Sequence, residues 1–192
     1  MGQEVKRAKT AIAKALENKH VVVISSGDPG VYGMAGVVLE AAEHEQANIP
    51  IDVIPGVTAA TAVAAALGAP IIGDFAVISL SDLLTPWLLI EKRLRMVAQA
   101  DFVIVLYNPQ SKGRKEPLAK AHQILLQHRS PSTPVGVVKN VGRDGEQASI
   151  TTLSDMLNTE IDMVTTVIVG NSATRVVNKR MVTPRGYDLL QT

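Results

Sequence analysis

The sequence predicts an α/β fold built as two α/β domains, and three observations carry that expectation. Apolar β-branched runs alternate with segments of helical periodicity, the grammar of strands covered by helices. Turns rich in glycine and proline follow several of the strand candidates. Apolar residues make up 46% of the chain but aromatic ones only 3%. A core of Val, Ile, Leu and Ala suits a sheet buried on both faces.

In chain order, Glu4 to Glu17 carries Val5, Ala8, Ile12, Ala15 and Leu16 at helical spacing. Asn18 ends that helix, and His20 to Ile24 reads as a buried strand. Val31 to His44 reads as a helix beginning just after Pro29. Ile51 to Ile54 is a second short strand, closed by Pro55-Gly56, and Thr58 to Leu67 a helix stopped by Gly68 and Pro70. Beyond Gly73 the strand candidates are Phe75–Leu80, Phe102–Leu106, Val135–Lys139, Ala148–Thr152 and Thr165–Val169. Helices are expected over Pro86–Ala98 and Glu116–His128. A boundary near Ala69–Asp74 divides the chain into domains 1–72 and 73–192, and 192 residues suffice for two small cores.

Composition removes several classes of function. There is no cysteine, so disulfides, thiolate zinc sites and a cysteine nucleophile are excluded. The four histidines lack metal-ligand spacing, and no metal site is expected. A net charge of +1 gives no overall attraction to nucleic acid or to an anionic membrane. No apolar run reaches the roughly 18 residues that cross a bilayer, and the first residues lack the apolar centre of a signal peptide. A soluble cytoplasmic protein is expected.

The strongest local signal is Ser25-Ser-Gly-Asp-Pro-Gly-Val-Tyr-Gly-Met-Ala-Gly36. Glycine lets backbone approach a ligand without an intervening Cβ. The turn leads into a helix, whose first N–H groups favour a polar or anionic ligand group. A tight turn with Asp28 as a helix cap is the plainer reading, and the spacing alone leaves both open. Neither G-x-G-x-x-G nor the P-loop pattern is present. Thr58, in Ile54-Pro-Gly-Val-Thr-Ala-Ala60, is a helix cap or a ligand contact. Ser79 to Trp87 and Leu106-Tyr-Asn-Pro109 add two more polar strand ends. Several such ends favour a shared pocket at the carboxyl edge of a sheet. The basic loop Ser111-Lys-Gly-Arg-Lys115, with Arg185, reads as solvated surface or as clamps for carboxylates.

Ser26 to Gly33, Pro55 to Ala60 and Tyr107 to Pro109 together resemble the tetrapyrrole (corrin/porphyrin) methyltransferases that use S-adenosylmethionine. Ile78–Trp87, Tyr107–Arg114, Val169–Ser172 and Met181–Tyr187 resemble, within that family, the members that methylate carbon 17 of precorrin-3B in cobalamin biosynthesis. The resemblance implies a tetrapyrrole methylase-like fold of two α/β domains with a cofactor cleft between them, assembled as a homodimer. It implies S-adenosylmethionine as cofactor and S-adenosylhomocysteine as product. The implied cofactor contacts are Gly27, Asp28, Val31, Thr58, Ala59, Tyr107, Asn108 and Val141. The implied substrate is a tetrapyrrole with many carboxylates, precorrin-3B or its cobalt-bearing counterpart, for which Lys112, Arg114 and Arg185 are the candidate contacts. Methylation there is coupled to ring contraction, which calls for a general acid or base; Asp82, Tyr107 and Lys139 are the candidates. Methyl transfer itself needs mainly in-line alignment.

One departure accompanies the resemblance. Family members begin with a strand and a G-x-G-P-G loop that this sequence does not contain. Two alternatives therefore stand beside the methyltransferase: an inactive homologue that dimerises or binds tetrapyrrole, and an enzyme acting at another corrin position.

Overall fold

The computed structural model describes residues 2–111, 113–114 and 116–188. The chain divides into two compact units, Met1–Ala59 and Ala60–Thr192.

The first unit contains the helices α1 (Glu4–Leu16) and α2 (Ala35–His44). Ala8 and Ile12 of α1 pack on Ala41 and Ala42 of α2, with Val38, Ile49 and Ile51 around them. Small residues at that contact let the two helices approach closely. Lys9 and Glu45 add an ion pair of 2.8 Å, exposed and worth little by itself. Two sequence expectations change here. α2 starts at Ala35, not Val31, because Tyr32 takes a left-handed φ of 52°. The preceding residues form a turn in which the Ala35 N–H donates to the Pro29 carbonyl at 2.9 Å. His20–Ile24 and Ile51–Ile54 also belong to no strand. A strand exists only by pairing, and among the described residues neither segment enters a ladder.

In the second unit, a five-stranded sheet has the order β2-β3-β6-β4-β5. Its strands are β2 (Phe75–Ser79), β3 (Val103–Tyr107), β4 (Pro134–Lys139), β5 (Gln147–Thr152) and β6 (Thr165–Val169). Helix α3 (Ala59–Leu67) leads into β1 (Gly68–Ala69), while α4 (Trp87–Gln99) links β2 to β3 and α5 (Glu116–Leu126) precedes β4. β2 and β3 are parallel, as a helical crossover requires, and the other pairs in this sheet are antiparallel. The sheet is therefore mixed. One antiparallel pair has a local cause: Asn140, Gly142 and Gly145 adopt φ of 53°, 67° and 76°, which folds β4 back onto β5 as a hairpin.

The strand period of two sorts the core into layers. Ile104 and Leu106 face Ile90 and Leu94 of α4 and Leu118 and Leu125 of α5. Val103 and Val105 face Val63 and Leu67 of α3 and Met181. A small second sheet, β1-β8-β7, uses β7 (Arg175–Val177) and β8 (Arg180–Val182). Its hairpin turns on Asn178 and Lys179, at φ of 48° and 62°, the two left-handed residues of a type I′ turn. Strands of three residues carry too little pattern to be read from sequence. Among the described residues, no helix is long and apolar enough to cross a membrane.

Gly136 records how closely α3 seats on β4. A Cβ there would lie 2.2 Å from Leu67 Cδ1, and Leu67 is buried. Gly136→Ala is expected to lower stability by about 1–3 kcal/mol through overpacking, read as a shifted urea midpoint. Gly73→Ala, whose Cβ would meet nothing within 4 Å, is the matched control.

Candidate functional site: two sets of turns

In the first unit, the turns at Gly27–Gly30 and Pro55–Gly56 are fastened to each other by one carboxylate. Asp28 Oδ1 accepts the Gly30 N–H at 2.8 Å, and Asp28 Oδ2 accepts the Gly56 N–H at 2.9 Å. Those bonds, first from Gly56 and then from Gly30, hold the Asp28 carboxyl below its ordinary value of 3.8. Asp28 thus anchors the cradle from within, a role between the cap and the ligand contact that the sequence left open.

The glycines are required by that contact. Gly27 has a φ of 74°, in the left-handed region. A Cβ on Gly56 would stand 2.2 Å from the Gly27 carbonyl oxygen, and one on Gly33 would stand 2.6 Å from that of Pro29. Val31, Thr58 and Ala59 are half-buried beside these turns in sequence, and the Val31 N–H donates to the Asp28 carbonyl at 3.3 Å. Five expected cofactor contacts, Gly27, Asp28, Val31, Thr58 and Ala59, therefore belong to this unit.

In the second unit, β3 ends at Tyr107, whose hydroxyl accepts the Ala60 N–H at 2.7 Å. Ala60 opens the buried face of α3, so the phenol satisfies one of the donors that a helix start leaves without an intrahelical partner. Asn108, at φ 50°, donates from Nδ2 to Ser79 Oγ at 2.9 Å. The adjacent ends of β2 and β3 are thereby joined, and Ser79 also accepts the Ser81 N–H at 3.2 Å. Val141 packs against the α3 side of the core. Gly56, Ala60 and Ser79 lie in turns that the sequence marks but are not among its candidate site residues. The signal for Gly56 was its place between Pro55 and Val57, where backbone rather than a side chain is presented.

The other expected site residues lie in the second unit with distinct partners. Asp82 accepts an ion pair from Arg114 Nη1, joining the loop after β2 to the basic loop after β3. Lys112 lies outside the described residues. Lys139 Nζ is held by Glu160 at 2.8 Å and by Asp162 at 3.0 Å. Those bonds, Glu160's first, raise the Lys139 pKa and keep the ammonium charged. Arg185 is exposed, its guanidinium 5.8 Å from the Tyr187 ring centroid.

Tyr107→Phe leaves the Ala60 N–H without this acceptor. A loss of about 1–3 kcal/mol in unfolding free energy is expected, with a matching fall in thermal midpoint. A change within a few tenths of a kcal/mol, the range of ordinary surface substitutions, contradicts the assignment.

Residues 2–157 match the family described as Tetrapyrrole (Corrin/Porphyrin) Methylases. The "Probable cobalt-factor III C(17)-methyltransferase" of Salmonella typhimurium is 50% identical over 189 residues, covering 98% of this chain and 78% of the relative. The "Cobalt-factor III methyltransferase" of Priestia megaterium is 52% identical over 191 residues, and there the chain spans 35% of the relative's length. Among solved structures, the methyltransferase CobJ superposes with a TM-score of 0.88 at 41% identity, over 94% of this chain and 77% of that one. The cobalt precorrin-4 methyltransferase CbiF superposes with a TM-score of 0.69 at 26% identity, over 88% of this chain and 71% of that one.

Proposed function

The chain belongs to the tetrapyrrole (corrin/porphyrin) methylases, and on that premise we propose that it methylates carbon 17 of a ring-contracting corrin precursor. The substrate is cobalt-factor III or its cobalt-free counterpart precorrin-3B, and the methyl donor is S-adenosylmethionine. The observation that carries the proposal is the Asp28-locked pair of turns, where glycine lets the two backbones meet. The names of the relatives support the choice of acceptor.

The donor fits what the first unit offers. Gly27 and Gly56 bring the two turns into backbone contact, and Asp28 holds them in one shape. When bound, the sulfonium supplies an electrophilic methyl group. The protein's part is then to hold donor and acceptor in line, which supplies much of the rate. In the second unit, the Tyr107–Ala60 and Asn108–Ser79 bonds keep the ends of β2, β3 and α3 in fixed relation. We assign Arg114 and Arg185 to substrate carboxylates, with Arg114 held by Asp82 in the absence of substrate. Asp82 becomes the better proton-transfer candidate once substrate draws Arg114 away. Lys139, held charged by two carboxylates, acts as a fixed cation and not as a base. A homodimeric, cytoplasmic enzyme completes the proposal.

The test is calorimetry with S-adenosylhomocysteine, followed by transfer of labelled methyl to cobalt-factor III and to precorrin-3B. Binding and label at carbon 17 are expected. No binding at millimolar ligand overturns the donor assignment, and label at another carbon overturns the acceptor.

A further inference from the structure

A cavity of about 260 Å³ opens in the second unit between the end of α5 and the loop after β6. Pro134, the first residue of β4, and Asn171, just past β6, both line it. Val135 pairs with Val169 at this end of the sheet, and Lys139 with Thr165 at the other. Since a strand rises by about 3.3 Å per residue, the cavity lies roughly 15 Å from the strand ends that carry Tyr107 and Asn108. It is a separate place from the turns described above. Its polar groups are mostly donors. Arg129 is 8% exposed, and a guanidinium has five N–H groups. One on Nη1 donates to Asp101, and one on Nη2 donates to the Phe102 carbonyl at 2.8 Å. The other three, Nε–H among them, have no partner among the described residues. His128 Nε2 is buried and unpartnered as well. Thr133 lines the cavity at 6% exposure, and its hydroxyl makes no hydrogen bond among the described residues. The carboxylate in the lining, Asp101, is already occupied. Besides Arg129 it accepts the Ser172 N–H at 3.0 Å and the Ser172 hydroxyl at 2.5 Å.

We propose that this cavity binds a phosphate group, either the free ion or the end of a phosphorylated metabolite. Buried donors are nearly always paired in folded proteins, so the bare N–H groups of Arg129 and His128 mark a place for an acceptor that the chain itself does not supply. Asp101 balances the charge of Arg129. Binding therefore rests on directed hydrogen bonds, strengthened by the guanidinium charge, and not on net charge. The donors stand on two loops, 128–133 and 171–172. An oxyanion whose oxygens point in several directions accepts from both loops at once, whereas a planar carboxylate offers two oxygens in one plane. Small rotations of Arg129 and His128 toward the cavity bring their buried N–H groups to the anion. The volume equals that of about nine water molecules at roughly 30 Å³ each, more than the bare ion fills, so a phosphate ester fits too.

The test is a titration of the whole 192-residue chain with inorganic phosphate at fixed ionic strength, read by NMR at the His128 ring and at the Thr133 and Ser172 amides. Saturable shifts with a millimolar midpoint are expected, while sodium chloride and acetate leave these signals in place. Thr133→Val keeps the shape of the side chain and removes its donor, and is expected to weaken phosphate by at least about fivefold. Ser132→Ala, at an exposed position of the same loop, gives a smaller loss and serves if Thr133→Val unfolds the unit. Glycerol phosphate is expected to bind at least as tightly as the free ion; its exclusion, with inorganic phosphate bound, assigns the site to the ion alone. The proposal is overturned if about 50 mM phosphate produces no saturable shift, if chloride or acetate shifts the same signals equally, or if both variants bind as the parent does. No S-adenosylhomocysteine is present, so the outcome is independent of the methyl-donor assignment.

Discussion

Gly56→Ala is expected to weaken S-adenosylhomocysteine binding by at least about 30-fold, or roughly 2 kcal/mol. The new Cβ would stand 2.2 Å from the Gly27 carbonyl oxygen and 3.4 Å from Asp28 Cα. Both obstacles are backbone, so no side-chain rotation relieves them, and the Gly27–Gly30 and Pro55–Gly56 turns must separate. Separation breaks the Gly56 N–H bond to Asp28 Oδ2 and moves the surface proposed for the donor. Gly36→Ala, whose Cβ would meet nothing within 4 Å, is the control and is expected to bind as the parent does. Amide exchange in α1 and α2 separates a local effect from an unfolded first unit. An unchanged affinity in Gly56→Ala, with the unit folded, removes these turns from the donor site.

How much of this was legible in the sequence depends on where each element finds its partner. The strands of the five-stranded sheet were readable because β-branched or apolar runs such as Val103 to Tyr107 and Thr165 to Val169 have their neighbours within the same unit. His20–Ile24 has an equally clear β-branched pattern and forms no strand, since pairing is a property of two segments and not of one. The start of α2 was misplaced because Tyr32 accepts a left-handed φ, a choice that composition does not advertise. At the site, glycine and proline marked the turns, and the resemblance supplied their meaning. What stayed illegible was Asp28's double acceptance from Gly30 and Gly56, which joins residues 28 apart in sequence. Likewise, nothing in Ala60 as a residue type points to the Tyr107 hydroxyl.

Asp28→Asn is expected to weaken S-adenosylhomocysteine binding by at least about tenfold, with Asp74→Ala as the neutral control. An amide keeps the size of the carboxylate but presents one oxygen and one NH2 group. One of the two N–H donors, Gly30 or Gly56, then faces another donor, and the charge that strengthens both bonds is gone. The parent's pH behaviour provides an independent check. Because the Asp28 pKa in the folded chain lies below 3.8, its contribution is fully present above that pH and is lost as pH falls through the lower folded value. The Gly30 and Gly56 amide proton shifts should therefore titrate together, with a common midpoint below 3.8. In Asp28→Asn that shared titration should vanish. Two different midpoints, or a titration that survives the substitution, contradict a single carboxylate fastening the two turns. Gly56→Ala and Asp28→Asn attack the same contact from opposite sides, so their effects should fall well short of additive. An additive double variant means that the steric fit and the carboxylate clamp serve the donor independently.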